Sequence, residues 1–252
     1  FAALGDLWTV SPSGGVPIAL TRDEYLDSDP FWSPDSRSIV YSSDRGGTMD
    51  LWVKDVDSPR SDTGRRLTMD IGAELAPAWS PDGTHIAYVD ERARLHVLSV
   101  ESGTNEVLTE ARRGVSQPTW SSDSIHVALS VHVPLSTRFR EGYNRILIVN
   151  TRTRASRILH EVDRSIGARD ADGPVWSPDG TMLAFAMDGG LWILAVSADG
   201  TPSGAPRQIA GEAVDFPSWS SDSQWILFVT PTGLKRVGLD GGRPQRIELD
   251  LQ

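Results

Sequence analysis

Few side chains in this sequence stand in a spacing that does chemistry on its own. The five histidines are His85, His96, His126, His132 and His160, and no two form a His-x-His pair. Short-motif metal sites need such pairs plus further ligands, so these histidines read as repeat positions rather than ligands. The chain has no cysteine, which excludes a disulfide framework, a thiolate metal site and a thiol nucleophile. No Gly-x-Ser-x-Gly elbow and no phosphate-binding glycine loop occurs; Gly46-Gly47, Gly189-Gly190 and Gly241-Gly242 read as turn glycines. Two groups remain. Asp27, Asp29, Glu74, Gln117, Asp172 and Asp215 stand just ahead of a recurring Pro-x-Trp. Their oxygens suit a hard cation such as Ca²⁺; the plainer expectation is a hydrated funnel of charges capping strand ends, with Arg113, Arg164 and Arg169 as counter-charge. The second group is Arg138, Phe139, Arg140, Glu141, Tyr143, Asn144, Arg164, Arg169 and Asp170. Aromatics among arginines on long loops suit a protein interface or a polar ligand, the alternative being a solvated hairpin loop.

The elements that must position these groups come from a repeat. Trp-Ser-Pro-Asp-Gly begins at Trp79 and Trp176, Trp-Ser-Pro-Asp-Ser at Trp32, and Trp-Ser-Ser-Asp-Ser at Trp120 and Trp219. A proline lies two residues ahead of each tryptophan: Pro30, Pro77, Pro118, Pro174 and Pro217. Ser-Pro-Asp-Gly suits a tight turn, because proline pre-sets φ, Asp bonds local amides and glycine accepts positive φ. Ser36, Ser124 and Ser223 replace that glycine at a cost on the order of 1 kcal/mol if left-handed, so these turns are expected to differ slightly. After each turn comes an apolar strand with a bulky column, Tyr41, Tyr88, Leu129, Phe185 and Phe228, beside a mostly small one, Val40, Ala87, Ala128, Ala184 and Leu227. Apolar residues on both faces mean a strand packed between neighbours. A third apolar strand and a short polar fourth strand follow in each unit.

Four strands repeating about every 40–50 residues are the pattern of a propeller blade, with the first strand lining a central channel. The expected fold class is all-β, a six-bladed β-propeller of four-stranded antiparallel blades, the first truncated at the N-terminus. One domain, 1–252, divides into a partial blade one (1–28), then blades 29–75, 76–116, 117–172, 173–215 and 216–252. Blade one is read as partial because Phe1-Ala2-Ala3-Leu4-Gly5-Asp6-Leu7-Trp8 aligns without gaps on Phe185 to Trp192, which lies in the middle of a blade. Upstream residues or another chain are expected to supply its inner strand, since a bare inner edge leaves backbone groups unpaired. The tryptophans of the turn motif are expected to pack between blades.

The net charge of −10 argues against nucleic acid or an anionic membrane as main partner. No apolar run is long enough to span a bilayer and no signal-peptide pattern opens the chain.

The tryptophan, the Ser-Pro-Asp-Gly turn, the aliphatic strand and the Arg65-Arg66-Leu67-Thr68 ending resemble the TolB-like propeller repeat across essentially the whole chain. Three strings, Phe1 to Trp8, Ser136 to Gly142 and Asp172 to Gly180, are more narrowly similar to the N-terminal propeller of bacterial two-domain amidohydrolases. That resemblance implies a scaffold and access domain beside a metal-dependent hydrolase barrel, which is outside this sequence. It also implies that Zn²⁺ belongs only to that barrel, that the barrel or a partner protein covers one propeller face, and a periplasmic or secreted setting. The alternatives are a free-standing TolB-like protein-interaction module and a cation-dependent propeller enzyme.

Overall fold

The computed structural model describes residues 1–11, 15–56, 64–110, 115–135, 142–159, 162, 164–167, 173–197 and 199–247. Hydrophobic alternation after each Trp-Ser-x-Asp turn produces meandering antiparallel sheets, and the fold is an all-β, six-bladed propeller. Blade one has three strands, Ala2–Ala3, Asp6–Thr9 and Ile18–Ala19. Each of the other five sheets has four strands, paired in chain order. Their first strands are Asp27–Trp32, Glu74–Trp79, Thr119–Trp120, Val175–Trp176 and Asp215–Trp219. The alignment of the N-terminus on blade five holds in register: Ala2 pairs with Leu7 as Ala186 pairs with Leu191. The chain forms two compact units, Phe1–Thr109 and Glu110–Glu248.

All five turns adopt one geometry, contrary to the expectation that the serine versions would differ. Ser36, Ser124 and Ser223 take φ of 59°, 58° and 57°, beside 71° for Gly83 and 74° for Gly180. The reason is a bond network that no residue at that position alters. In the Trp79 copy, the Ser80 hydroxyl donates to Asp82 at 2.6 Å and accepts the His85 N–H at 3.0 Å, while Asp82 accepts the Thr84 N–H. The other four copies repeat it, with Ser-to-Asp distances of 2.5–2.6 Å. Donation from Ser33 and Ser220, then from the N–H of Arg37 and Gln224, holds Asp35 and Asp222 below the ordinary carboxylate range. Serine therefore carries the left-handed cost directly. We expect Ser36→Gly to raise stability by about 0.5–1 kcal/mol in denaturant titration; Ser36 is exposed. A loss of stability would contradict this account of the turn.

Packing follows the two columns. Tyr41, Tyr88, Phe185 and Phe228 are fully buried, as are Val40, Ala87, Ala128 and Ala184. In the first unit Trp79 of blade three packs with Val40, Leu51 and Val53 of blade two. In the second, Trp176 of blade five lies in the core with Ile146, Ile148 and Leu159 of blade four. Trp219 of blade six packs on blade five, its indole donating to the Val175 carbonyl at 3.1 Å. Each of these rings leans on the preceding blade. Trp32 departs from the expected packing and is 44% exposed. The sheet before it has three strands, so the carbonyl that would correspond to Val175 has no counterpart among the described residues.

Candidate functional site

The first strand begins where a Thr-bearing outer segment ends, and this junction decides where the pre-proline carboxylates go. Thr68 Oγ accepts the Leu51 N–H at 2.9 Å and donates to Glu74 at 2.8 Å. Thr21 and Thr109 accept the N–H of Leu7 and Leu95 in the same way. The threonine of the Arg-Arg-Leu-Thr ending thus satisfies the third strand's N–H and faces the next blade's first strand.

Asp27 and Glu74 consequently sit in the protein interior, at 1% and 2% exposure. Asp27 receives both oxygen contacts from Arg45, at 3.1 and 3.0 Å, and Arg45 also bonds Asp23 at 3.0 Å. The Arg45 guanidinium lies over the rings of Tyr25, Tyr41 and Trp52, 5.1–5.7 Å from their centroids. Its role was not visible in the sequence, where Ser43-Asp44-Arg45-Gly46-Gly47 reads only as a polar turn. That turn is a short 3-10 segment, Asp44–Gly46, which points Arg45 back at Asp27. Burial pushes the Tyr41 hydroxyl up to about 12.

Glu74 is pushed up to about 7, first by burial and then by the neighbouring charges of Asp50 and Asp70, against the Thr68 hydrogen bond. Asp50 is itself buried and bonded to Arg66 at 2.6 Å. A carboxyl whose folded value lies above its ordinary 4.5 binds its proton more tightly in the folded state. The stability this contributes is complete below about pH 4.5 and is lost as pH rises through about 7. Glu74→Gln keeps an acceptor for Thr68 and cannot ionise. It is expected to remove on the order of 2–3 kcal/mol of pH-dependent destabilisation between those limits. Denaturant midpoints at pH 4.5 and 8 check it; equal pH dependence in both proteins would contradict it.

Asp29 and Asp215 are exposed. Asp29 has φ of 51° and accepts the N–H of Ala76 at 3.3 Å, tying blade two to blade three. Gln117 is half-buried, and Asp172, Arg113 and Arg169 lie outside the described residues. The counter-charge for Asp27 is Arg45, and Arg164 instead pairs with Asp188 at 2.6 Å. Among the described residues no group of three or more His, Cys, Asp or Glu side chains is placed to hold a metal ion. His85 and His126 begin second strands, and His96 stacks on Tyr88 with centroids 4.7 Å apart.

Blade four differs from the expected loop. Its second and third strands run His126–Pro134 and Gly142–Asn150, so His132 and Asn144 are paired strand residues. The extension continues the ladder, with Val131 (opposite Arg145) and Ile146 (opposite Ser130) buried on opposite faces of the hairpin. Tyr143 is exposed, with the Arg145 guanidinium 5.2 Å over its ring. Arg145 donates to the carbonyls of Val162 and Arg164. Arg138, Phe139, Arg140, Glu141, Arg169 and Asp170 lie outside the described residues.

Within the second unit the structure brings together groups the sequence kept apart. Asn144 of blade four, the Asp188-Gly189 hairpin of blade five and Asp215 of blade six line one cavity of about 400 Å³. Its wall is the segment 165–167: Ser165 Oγ accepts the Asn144 N–H at 3.0 Å, Ile166 bridges Met187, and Gly167 N–H donates to Ala186. This size is ordinary for small-ligand sites. The missed signal was Ser165-Ile166, in a stretch read only as extra loop.

Repeated Trp-Ser-x-Asp turns and sheets meandering in chain order define a β-propeller domain, with a polar cavity at the strand ends opposite the turns. The family model for the TolB beta propeller domain (PD40) matches residues 66–239, and the chain belongs to that family. The uncharacterized peptidase YuxL of Bacillus subtilis is 24% identical over 225 residues, 88% of this chain and 24% of that protein. The Tol-Pal system protein TolB of Anaeromyxobacter dehalogenans (strain 2CP-C) is 32% identical over 125 residues, 48% of this chain and 25% of that protein. The chain thus spans about a quarter of the length of these curated relatives. Among solved structures, TolB from Acinetobacter baumannii superposes with a TM-score of 0.67 at 17% identity, over 94% of this chain and 57% of that one. Oligogalacturonate lyase in complex with manganese gives 0.67 at 15%, over 95% of this chain and 71% of that one. At such identities the likeness is one of fold alone.

Proposed function

We propose that this chain is the non-catalytic propeller of a larger bacterial hydrolase, serving as scaffold and controlling access to a catalytic domain seated over one face. The observation that carries the reading is the match to YuxL. It runs through 88% of this chain but only 24% of a protein named as a peptidase, so a propeller of this kind accompanies a much larger remainder. The amidohydrolase barrel, with its Zn²⁺, is the form that the three sequence strings imply. The buried acidic groups support a scaffold role, because Asp27 and Asp50 are committed to arginines and Glu74 to the Thr68 hydroxyl. A periplasmic or secreted setting goes with this reading, as does an inner strand for blade one from upstream residues or a second chain. Among the described residues no helix is long and apolar enough to cross a membrane.

The gene downstream of Gln252 tests it. A frame continuing into a strand with a His-x-His pair supports the amidohydrolase form, and one carrying a Gly-x-Ser-x-Gly elbow supports a serine-hydrolase form. A stop codon directly after Gln252 contradicts both and favours a free-standing TolB-like interaction module, the reading supported by the 32% identity to TolB.

A further inference from the structure

The cavity of the second unit has a composition that selects its occupant. Its apolar surface comes from Ile166, Met187 and Val214, each buried at 2–6% exposure. Its polar surface is rich in acceptors. Asn144 is committed, its side-chain oxygen 3.3 Å from His132 Nδ1 and its amide nitrogen donating to the Ile166 carbonyl, and it serves as wall. Asp188 is fixed by a left-handed Asp-Gly turn, φ 51° and 71°. Among the described residues its side chain is bonded to Arg164 alone, both side chains about half exposed or more, so the pair is weak and open to exchange. The Asp215 side chain has no hydrogen-bond or ion-pair partner among the described residues, while its backbone pairs with Val229. Among the described residues Arg164 is the cation at the site, while Arg145 is engaged with carbonyls and the Tyr143 ring and Lys235 with Glu212 at 2.5 Å.

A cavity lined by apolar side chains and two carboxylates, one of them without a side-chain partner among the described residues, matches an aliphatic stem tipped with a cation. We infer that this cavity binds a basic group, an alkylammonium or guanidinium on a methylene stem, with its charge between Asp188 and Asp215. The stem rests on Ile166, Met187 and Val214. The net charge of −10 draws such ligands in. The inference deepens the access-domain reading by naming what the covered face recognises, and it rests on that reading only for the source of the group, a peptide side chain or a free amine.

Isothermal titration of the 252-residue protein with Nα-acetyl-arginine amide, its citrulline counterpart and cadaverine tests it. The expected result is saturable 1:1 binding of the arginine probe, at least tenfold weaker binding of neutral citrulline, and a decline with added salt. Tighter arginine-amide than cadaverine binding indicates a peptide side chain; the reverse indicates a free amine. Asp215→Asn is expected to weaken the arginine probe at least tenfold, and Asp29→Asn, in the other unit, to leave it unchanged; an unaltered melting curve shows that both stay folded. Equal binding of citrulline, full affinity in Asp215→Asn, or no saturable binding of either cation overturns the inference. A stop codon after Gln252 sinks the hydrolase reading without touching this titration, so the two fail separately.

Discussion

Trp79→Ala destabilises the protein by about 3–5 kcal/mol, while the same change at Trp32 costs a fraction of that. Both residues occupy the same motif position, so sequence alone assigns them equal weight. Their surroundings do not. Trp79 is 8% exposed and wedged among Val40, Leu51, Ile86 and Tyr88, whereas Trp32 is 44% exposed. Removing the Trp79 indole opens a cavity between two rigid sheets whose hydrogen-bonded strands cannot collapse into it, so the lost contacts are not regained. At Trp32 half of the ring already faces water, and truncation forfeits only the covered half. Denaturant unfolding of the two variants side by side checks the difference. Equal losses would mean that the indoles are not wedged between blades.

Arg45→Ala is the second large effect, expected at about 3–5 kcal/mol. The Asp27 side chain has no exposure and Arg45 has 4%, so the alanine variant leaves a carboxylate in a low-dielectric site without its cation. The loss is mainly the cost of that stranded charge and not the worth of the ion pair, since a buried pair roughly balances its own desolvation. The double variant Arg45→Met with Asp27→Leu separates the two: it is expected to recover most of the stability that Arg45→Ala loses. A double variant no better than Arg45→Ala would show that the guanidinium acts through its three aromatic neighbours instead.

The fold was legible because its determinants are local and repeated. The Ser-x-Asp turn, the Tyr41-to-Phe228 column and the alignment of Phe1–Trp8 on Phe185–Trp192 each depend on residues a few positions apart, and the strands pair with their chain neighbours. What the sequence hid was whatever depends on neighbours distant along the chain. Asp27 and Asp29 are two residues apart, yet one is buried against Arg45 and the other meets Ala76 from outside; a bulge between Ser28 and Phe31 separates their directions. The cavity was likewise split in the sequence, with Asn144 assigned to a loop and Asp215 to a funnel of pre-proline carboxylates. The segment 164–167 ties blade four to the blade-five hairpin through the Arg164–Asp188 pair, the Ile166–Met187 bridge and the Gly167 N–H donating to Ala186. The serine turns show the converse limit: propensity predicted a local difference that the bond pattern shared by all five turns overrides.

A crystal structure of the full-length gene product tests the central claim most directly. The account predicts a catalytic domain seated over the face that carries Asn144, Asp188 and Asp215, with the Trp-Ser-x-Asp turns pointing away from it. A polypeptide with no catalytic domain, or one whose catalytic domain rests on the Trp-Ser-x-Asp turns, would contradict it.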